Sequence, residues 1–170
     1  MKCVSVASLA IILLAGGVLF QGCDENPIDT PNIGSGTLLK ATIEGQAYTF
    51  SINTDDTGYD EVVFVGTVSG STDELPVQSI KITFNYDIDG SSFPVTLNPP
   101  DAVITVGYDD GSGTTTAYQS IAGNNARVTL TASNSQIVDG TFSGTLENTK
   151  DANDKITVTG GEFSAQLPRN

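Results

Sequence analysis

Carboxylates and tyrosines are the side chains of this chain that come in groups and could do chemistry. Twenty Asp and Glu stand against seven Lys and Arg, His and Trp are absent, and both cysteines and the single Met fall within the first 23 residues. That composition removes the commonest general base, the thiolate nucleophiles and the usual ligands of Zn, Cu, haem and iron–sulfur clusters. Oxygen-rich loops can still hold a hard cation. Asp87 and Asp89 precede Gly90, Asp109 and Asp110 precede Gly111, and Asp55, Asp56, Asp60 and Glu61 crowd a third stretch. A structural calcium ion, which takes six to eight oxygen ligands, is therefore one expectation. Ordinary turn chemistry is the competing one, because none of the three stretches follows the twelve-residue calcium loop and Asp-Gly steps suit β-turns.

The tyrosines suggest a second chemistry. Tyr59, Tyr108 and Tyr118 lie beside loops or at strand ends, where exposed rings could stack on sugars while Asn, Asp and Gln bond the hydroxyls. The absence of Trp, the broadest sugar platform, weighs against a glycan face, and tyrosines at strand ends commonly close a core with the hydroxyl in water. A third chemistry is glycosidase-like hydrolysis by a carboxylate pair. It needs one acid with a raised pKa in an apolar pocket, and the acids of this chain fall in turns and on polar strand faces. No enzymatic activity is expected. Nucleic acid is excluded as a partner, since a pI near 4.1 offers no cationic footprint to displace phosphate counterions.

A single residue near the start carries the sharpest chemical expectation. Lys2 precedes an apolar run from Val4 to Phe20, which stops at Gln21-Gly22-Cys23. A basic end, an apolar core and a small residue before the cut form a secretory signal, and a cysteine just after the small residue adds lipid attachment. Residues 1–22 read as a lipoprotein signal peptide and Cys23 as the lipidated first residue of the mature chain. A signal cut elsewhere and an uncleaved anchor helix are the alternatives, since Phe20 and Gln21 occupy places where Leu and a small residue are usual. Residues 1–22 contain one charged side chain, Lys2, so the formal −13 of the full chain becomes −14 after cleavage. No disulfide is then available, and the domain must be held by its core. Asp24-Glu25-Asn26-Pro27 follows at once, and residues 23–37, with Pro27, Pro31, Gly34 and Gly36, read as a flexible tether. Such a tether holds its load about 20 Å from the membrane on average.

Elements that position these residues are strands. From Leu38 to Leu167 the chain alternates with period two and is punctuated by Gly, Asn, Asp and Pro every eight to twelve residues, the pattern of an all-β sandwich or barrel. Leu39, Ala41 and Ile43 turn at Glu44-Gly45 into Tyr48, Phe50 and Ile52, which predicts a hairpin. Ile80, Ile82, Phe84 and Tyr86 alternate with Lys81, Thr83, Asn85 and Asp87, which predicts a half-buried antiparallel strand. Shorter strands are expected at Phe93–Leu97, Val103–Tyr108, Thr114–Ser120 and Val128–Ala132. Gly140-Thr-Phe142-Ser143 recurs as Gly161-Glu-Phe163-Ser164, spacing that suits two adjacent antiparallel strands joined across Asn148–Asp154. Inward parity changes between Val158 and Phe163, so a bulge is expected at Gly160-Gly161.

Those closing strands, Val138–Leu146 and Ile156–Phe163, preceded by Ala126-Arg-Val-Thr-Leu130, resemble the closing strands of small β-sandwich lipoproteins of Gram-negative bacteria. The opening Ala41-Thr-Ile-Glu-Gly45-Gln-Ala-Tyr48 is similar to the first hairpin of the same group. The resemblance spans residues 38–167 and implies a fold; it carries no site residues. The expectation is thus one antiparallel β-sandwich, immunoglobulin-like or jelly-roll-like, of about eight to ten strands over residues 38–168. Its expected place is the cell envelope, as an outer-membrane lipoprotein on the periplasmic or surface face. Its expected role is non-catalytic binding or structural work through an envelope protein partner, with a carbohydrate-binding accessory as the alternative and a carboxylate hydrolase third.

Overall fold

The computed structural model describes residues 34–74 and 76–169, with the side chain of Val77 left aside. The expected signal peptide, Cys23 and the expected tether up to Ile33 lie outside the described residues. Among those described, every regular element is a strand: β1 Thr37–Ile43, β2 Gln46–Thr49, β3 Ser51–Ile52, β4 Gly58–Asp60, β5 Val65–Ser71, β6 Val77–Asn85, β7 Val95–Leu97, β8 Ala102–Asp109, β9 Thr115–Gln119, β10 Arg127–Ser133, β11 Ile137–Asn148 and β12 Lys155–Gln166. The fold is all-β and antiparallel, as expected, and the described residues form twelve strands in one hydrogen-bonded sheet, more than the eight to ten anticipated.

One layer runs β7-β10-β11-β12-β1-β2, and the other runs β9-β8-β6-β5 with β3 and β4 on the outer side of β5. The chain crosses between layers at Phe50, a buried residue whose N–H donates to Leu39 O at 2.8 Å. The layers meet again where Glu147 and Asn148 of β11 pair with Gln119 and Tyr118 of β9. Alternate residues of both layers face one apolar cluster, including Leu39, Val68, Ile82, Phe84, Ile104, Leu130, Leu146 and Val158. A path that buries one face against a single core must fold over itself, which makes the sandwich.

Local chemistry explains the turns. Glu44 and Gly45 have φ of 50° and 81°, the two positive values that a two-residue hairpin matched to strand twist requires. The Glu44 N–H donates to Thr157 O at 3.0 Å, and its carboxylate accepts the Thr157 N–H, so this turn is docked on β12. The predicted bulge is present: Gly160 has φ of 58°, and the β12 register shifts there against both β1 and β11.

The recurring Gly-x-Phe triplets have a geometric cause. Gly140 lies opposite Phe163 and Phe142 opposite Gly161, so each ring covers the partner strand's glycine, and the two rings tilt together at 6.3 Å. Gly66 and Phe84 repeat the device between β5 and β6. A methyl group at Gly161 would stand 2.5 Å from the Phe142 ring, well inside contact distance.

The β6–β8 ladder fixes two ends of the sandwich. Val77 faces Asp109 at one end and Phe84 faces Ala102 at the other. At the Phe84 end the chain enters: Gly34 N–H donates to Asp139 Oδ2 at 2.6 Å and Gly36 N–H to Ser164 Oγ at 2.9 Å. We call this the entry end and the other the far end. Residues 34–37, read from sequence as tether, are thus already bonded to the domain.

Candidate functional site

At the entry end, the backbone of Pro168 and Arg169 returns to β4. Tyr59 N–H donates to Pro168 O at 2.9 Å, and the Arg169 guanidinium lies 4.9 Å from the centre of the Tyr59 ring. The same guanidinium binds both Asp89 oxygens at 2.7 and 2.9 Å and the Ser135 carbonyl. These bonds to a carboxylate hold Arg169 in its charged form, with its pKa pushed up. Tyr59 is 1% exposed; its hydroxyl donates to Tyr86 O and accepts the Ile88 N–H. This corrects the expectation of a sugar-stacking ring. Burial also pushes the Tyr59 hydroxyl pKa up.

Tyr108 and Tyr118 sit at the far end, half-buried and packed edge to face at 5.8 Å. The Tyr118 hydroxyl donates to Asp154 Oδ2 at 2.8 Å, which raises the tyrosine's pKa and, together with Asn148, lowers that of Asp154. Burial, with Tyr48, Tyr118 and Glu44 nearby, pushes Tyr108 up to about 12. Both the Tyr108 and Tyr118 rings pack against the core.

The four carboxylates proposed for calcium are divided between the ends, since Asp87 and Asp89 follow β6 while Asp109 and Asp110 follow β8 on the opposite side of the ladder. They cannot share one ion. Asp87 Oδ1 accepts the N–H groups of Asp89 and Gly90, Asp109 Oδ1 that of Gly111, and Asp110 Oδ1 that of Ser112. Each thus serves its own turn, as the competing expectation had it. Asp89 is further committed to Arg169. Among the described residues no cluster of three acidic, His or Cys side chains has metal-holding geometry.

A groove of about 570 Å³ came from no motif. It lies where β11 loses β10 as its neighbour after Ser143 and gains β9 only at Glu147. The β9–β10 loop fills the fork, and Gly144 allows it: a Cβ there would strike Ala126. Its polar lining includes Asn98, Asn124, Asn125, Arg127, Thr145 and Thr157, and no carboxylate lines it. Asn124 Nδ2 reaches Thr145 O at 3.4 Å and Glu147 at 3.2 Å. Arg127 has no ion-pair partner among the described residues, whereas Lys40, Lys155 and Arg169 each hold a carboxylate. Sequence reading missed the groove because it arises from a break in strand pairing, and Asn124-Asn125 resembles any loop.

Compared with protein-family models, curated proteins and solved structures, the chain matches none.

Proposed function

We propose that this protein is a lipid-anchored, non-catalytic binding protein of the bacterial cell envelope, which engages a protein partner through the groove at the β9–β10–β11 fork. The observation that carries the reading is the lining: side-chain amides, hydroxyls and one guanidinium that forms no salt bridge among the described residues. Such groups make hydrogen bonds to carbonyls and carboxylates of a partner and move no protons. Supporting it, the carboxylates whose pKa departs from the ordinary range, Asp110, Glu147 and Asp154, are all held low by hydrogen bonds. A general acid needs the opposite shift. Attachment would come from Cys23 and its acyl chains, each buried CH₂ contributing about 0.8 kcal/mol.

A saccharide in the same groove is the second reading, favoured by the three asparagines that line it. The two are separated by placing a photo-crosslinking residue at Asn125 in the full chain in its native envelope. The protein reading predicts one discrete protein adduct that disappears with Arg127→Glu; an unchanged adduct sinks the groove assignment. A rise in melting temperature with one sugar class, lost in Arg127→Glu, would establish the saccharide instead. For the anchor, Cys23→Ala is expected to abolish the lipid mass increment and release the protein from membranes. Unchanged membrane association would show that something else holds it.

A further inference from the structure

Between β4 and β5 the chain makes a four-residue turn, Glu61-Val62-Val63-Phe64, whose three apolar side chains are 83%, 56% and 43% exposed. Most soluble surfaces scatter their apolar residues, so three in succession on one turn call for a partner. Phe64 holds φ of 56°, a left-handed conformation that a bulky residue rarely adopts and that points to a specific use.

We infer that this turn is a second membrane contact, inserting into the interface of the bilayer that holds the Cys23 anchor. Three features select a lipid surface as the occupant. First, the turn lies at the entry end. Gly36 O accepts the Gln166 N–H, Pro168 O accepts the Tyr59 N–H, and Val62 follows three residues on. That is a path of about five residues, at most ~18 Å of chain, plus two hydrogen-bonded crossings of about 5 Å each. A tether ending at Gly34 therefore delivers this end of the domain, and this turn with it, toward the bilayer. Second, the turn has its own backbone bonding. Asp60 Oδ1 accepts the N–H groups of Val62 and Val63 at 2.9 and 3.2 Å, and Phe64 O accepts the Tyr86 N–H at 2.8 Å. Three backbone groups of the turn are thus satisfied internally, which lowers the cost of entering a nonaqueous environment. Third, the two acids that lead into the turn are partnered: Asp60 by those N–H groups and Glu61 by Arg169 at 3.5 Å. Asp55 and Asp56 line one hollow together with Val63, a negative setting that favours zwitterionic over anionic lipid.

The inference rests on the lipid anchor at Cys23, and the test separates the two. The full chain, processed by its own signal, carries Val62→Cys; Cys3 leaves with the signal and Cys23 is acylated, so an environment-sensitive dye labels one position. Ser112→Cys, in the β8–β9 turn at the far end, is the control. In phosphatidylethanolamine/phosphatidylcholine vesicles the Val62 label is expected to shift its emission to the blue and to be quenched by brominated acyl chains. The shift should be lost with Phe64→Asp and reduced when phosphatidylglycerol is added, while the Ser112 label stays water-like. Sedimentation with vesicles reports the anchor independently. Sedimentation without a blue shift overturns the inference and leaves the anchor standing; failure to sediment overturns both. A blue shift that needs added envelope protein would make the turn a protein contact and overturn the lipid assignment.

Discussion

Tyr108 governs how the far end behaves in alkali. Its hydroxyl ionises at about 12 in the folded domain against about 10 in an unfolded chain. Folding therefore retains the proton through that interval, so the stability tied to Tyr108 is complete below pH 10 and is lost as pH climbs through 12. Tyr59 and Tyr118 shift in the same direction and add to the loss. Melting temperature is expected to fall between pH 10 and 12, and Tyr108→Phe should flatten part of that fall; an unchanged profile would remove Tyr108 as its source. Residue-scale reading of the sequence was uneven for a physical reason. A carboxylate before Gly announces its turn through its own chain neighbours, and Asp87, Asp109 and Asp110 serve such turns. The fate of Tyr59 depends on Tyr86, Ile88 and Arg169, which lie far along the chain and leave no local trace.

At the scale of elements, the two glycines of the β12 bulge act differently. Gly160 has φ of 58° and open space around it, whereas Gly161 has the Phe142 ring 2.5 Å from where a Cβ would sit. Gly160→Ala should cost about 1–2 kcal/mol through backbone strain, and Gly161→Ala about 1–3 kcal/mol through overpacking. A double-mutant cycle with Phe142→Ala distinguishes them by urea denaturation. The Gly161 cost should shrink in that background and the Gly160 cost should not; equal coupling would show that the ring is not the obstacle. The same Gly–Phe pairing explains what the alternation could and could not reveal. β6, β8, β11 and β12 put large apolar residues on their inward face and were legible. β5 puts Gly66, Val68 and Gly70 inward, leaving room for Phe84 and Leu39, so it buries a full strand with almost no apolar signal. The short β4 is held by pairing to β5 and was hidden with it, while Ile52, expected to continue the first hairpin, instead lies in β3 and pairs with β5. The fork groove was illegible for a related reason, since nothing in β11 marks where its neighbour changes.

At the scale of the whole molecule, the chain enters β1 at the same end to which Pro168 and Arg169 return, while the groove uses the far halves of β11 and β12. Strand β1 is flanked on both sides, by β12 and by β2. If the domain links a membrane anchor to a partner seated in the groove, tension between them runs along the strands. The ladder bonds of β1 would then be loaded in shear, all at once, instead of opening one at a time. Pulling single molecules between Gly34 and Asn125 should therefore rupture the domain at a markedly higher force than pulling between Gly34 and Arg169, which peels Thr37 from Ala165 and unzips the pair. Similar forces in the two directions would show that β1 is not the mechanical clamp. The arrangement makes this small sandwich a stiff coupling under tension along its axis and a weak one across its two chain ends.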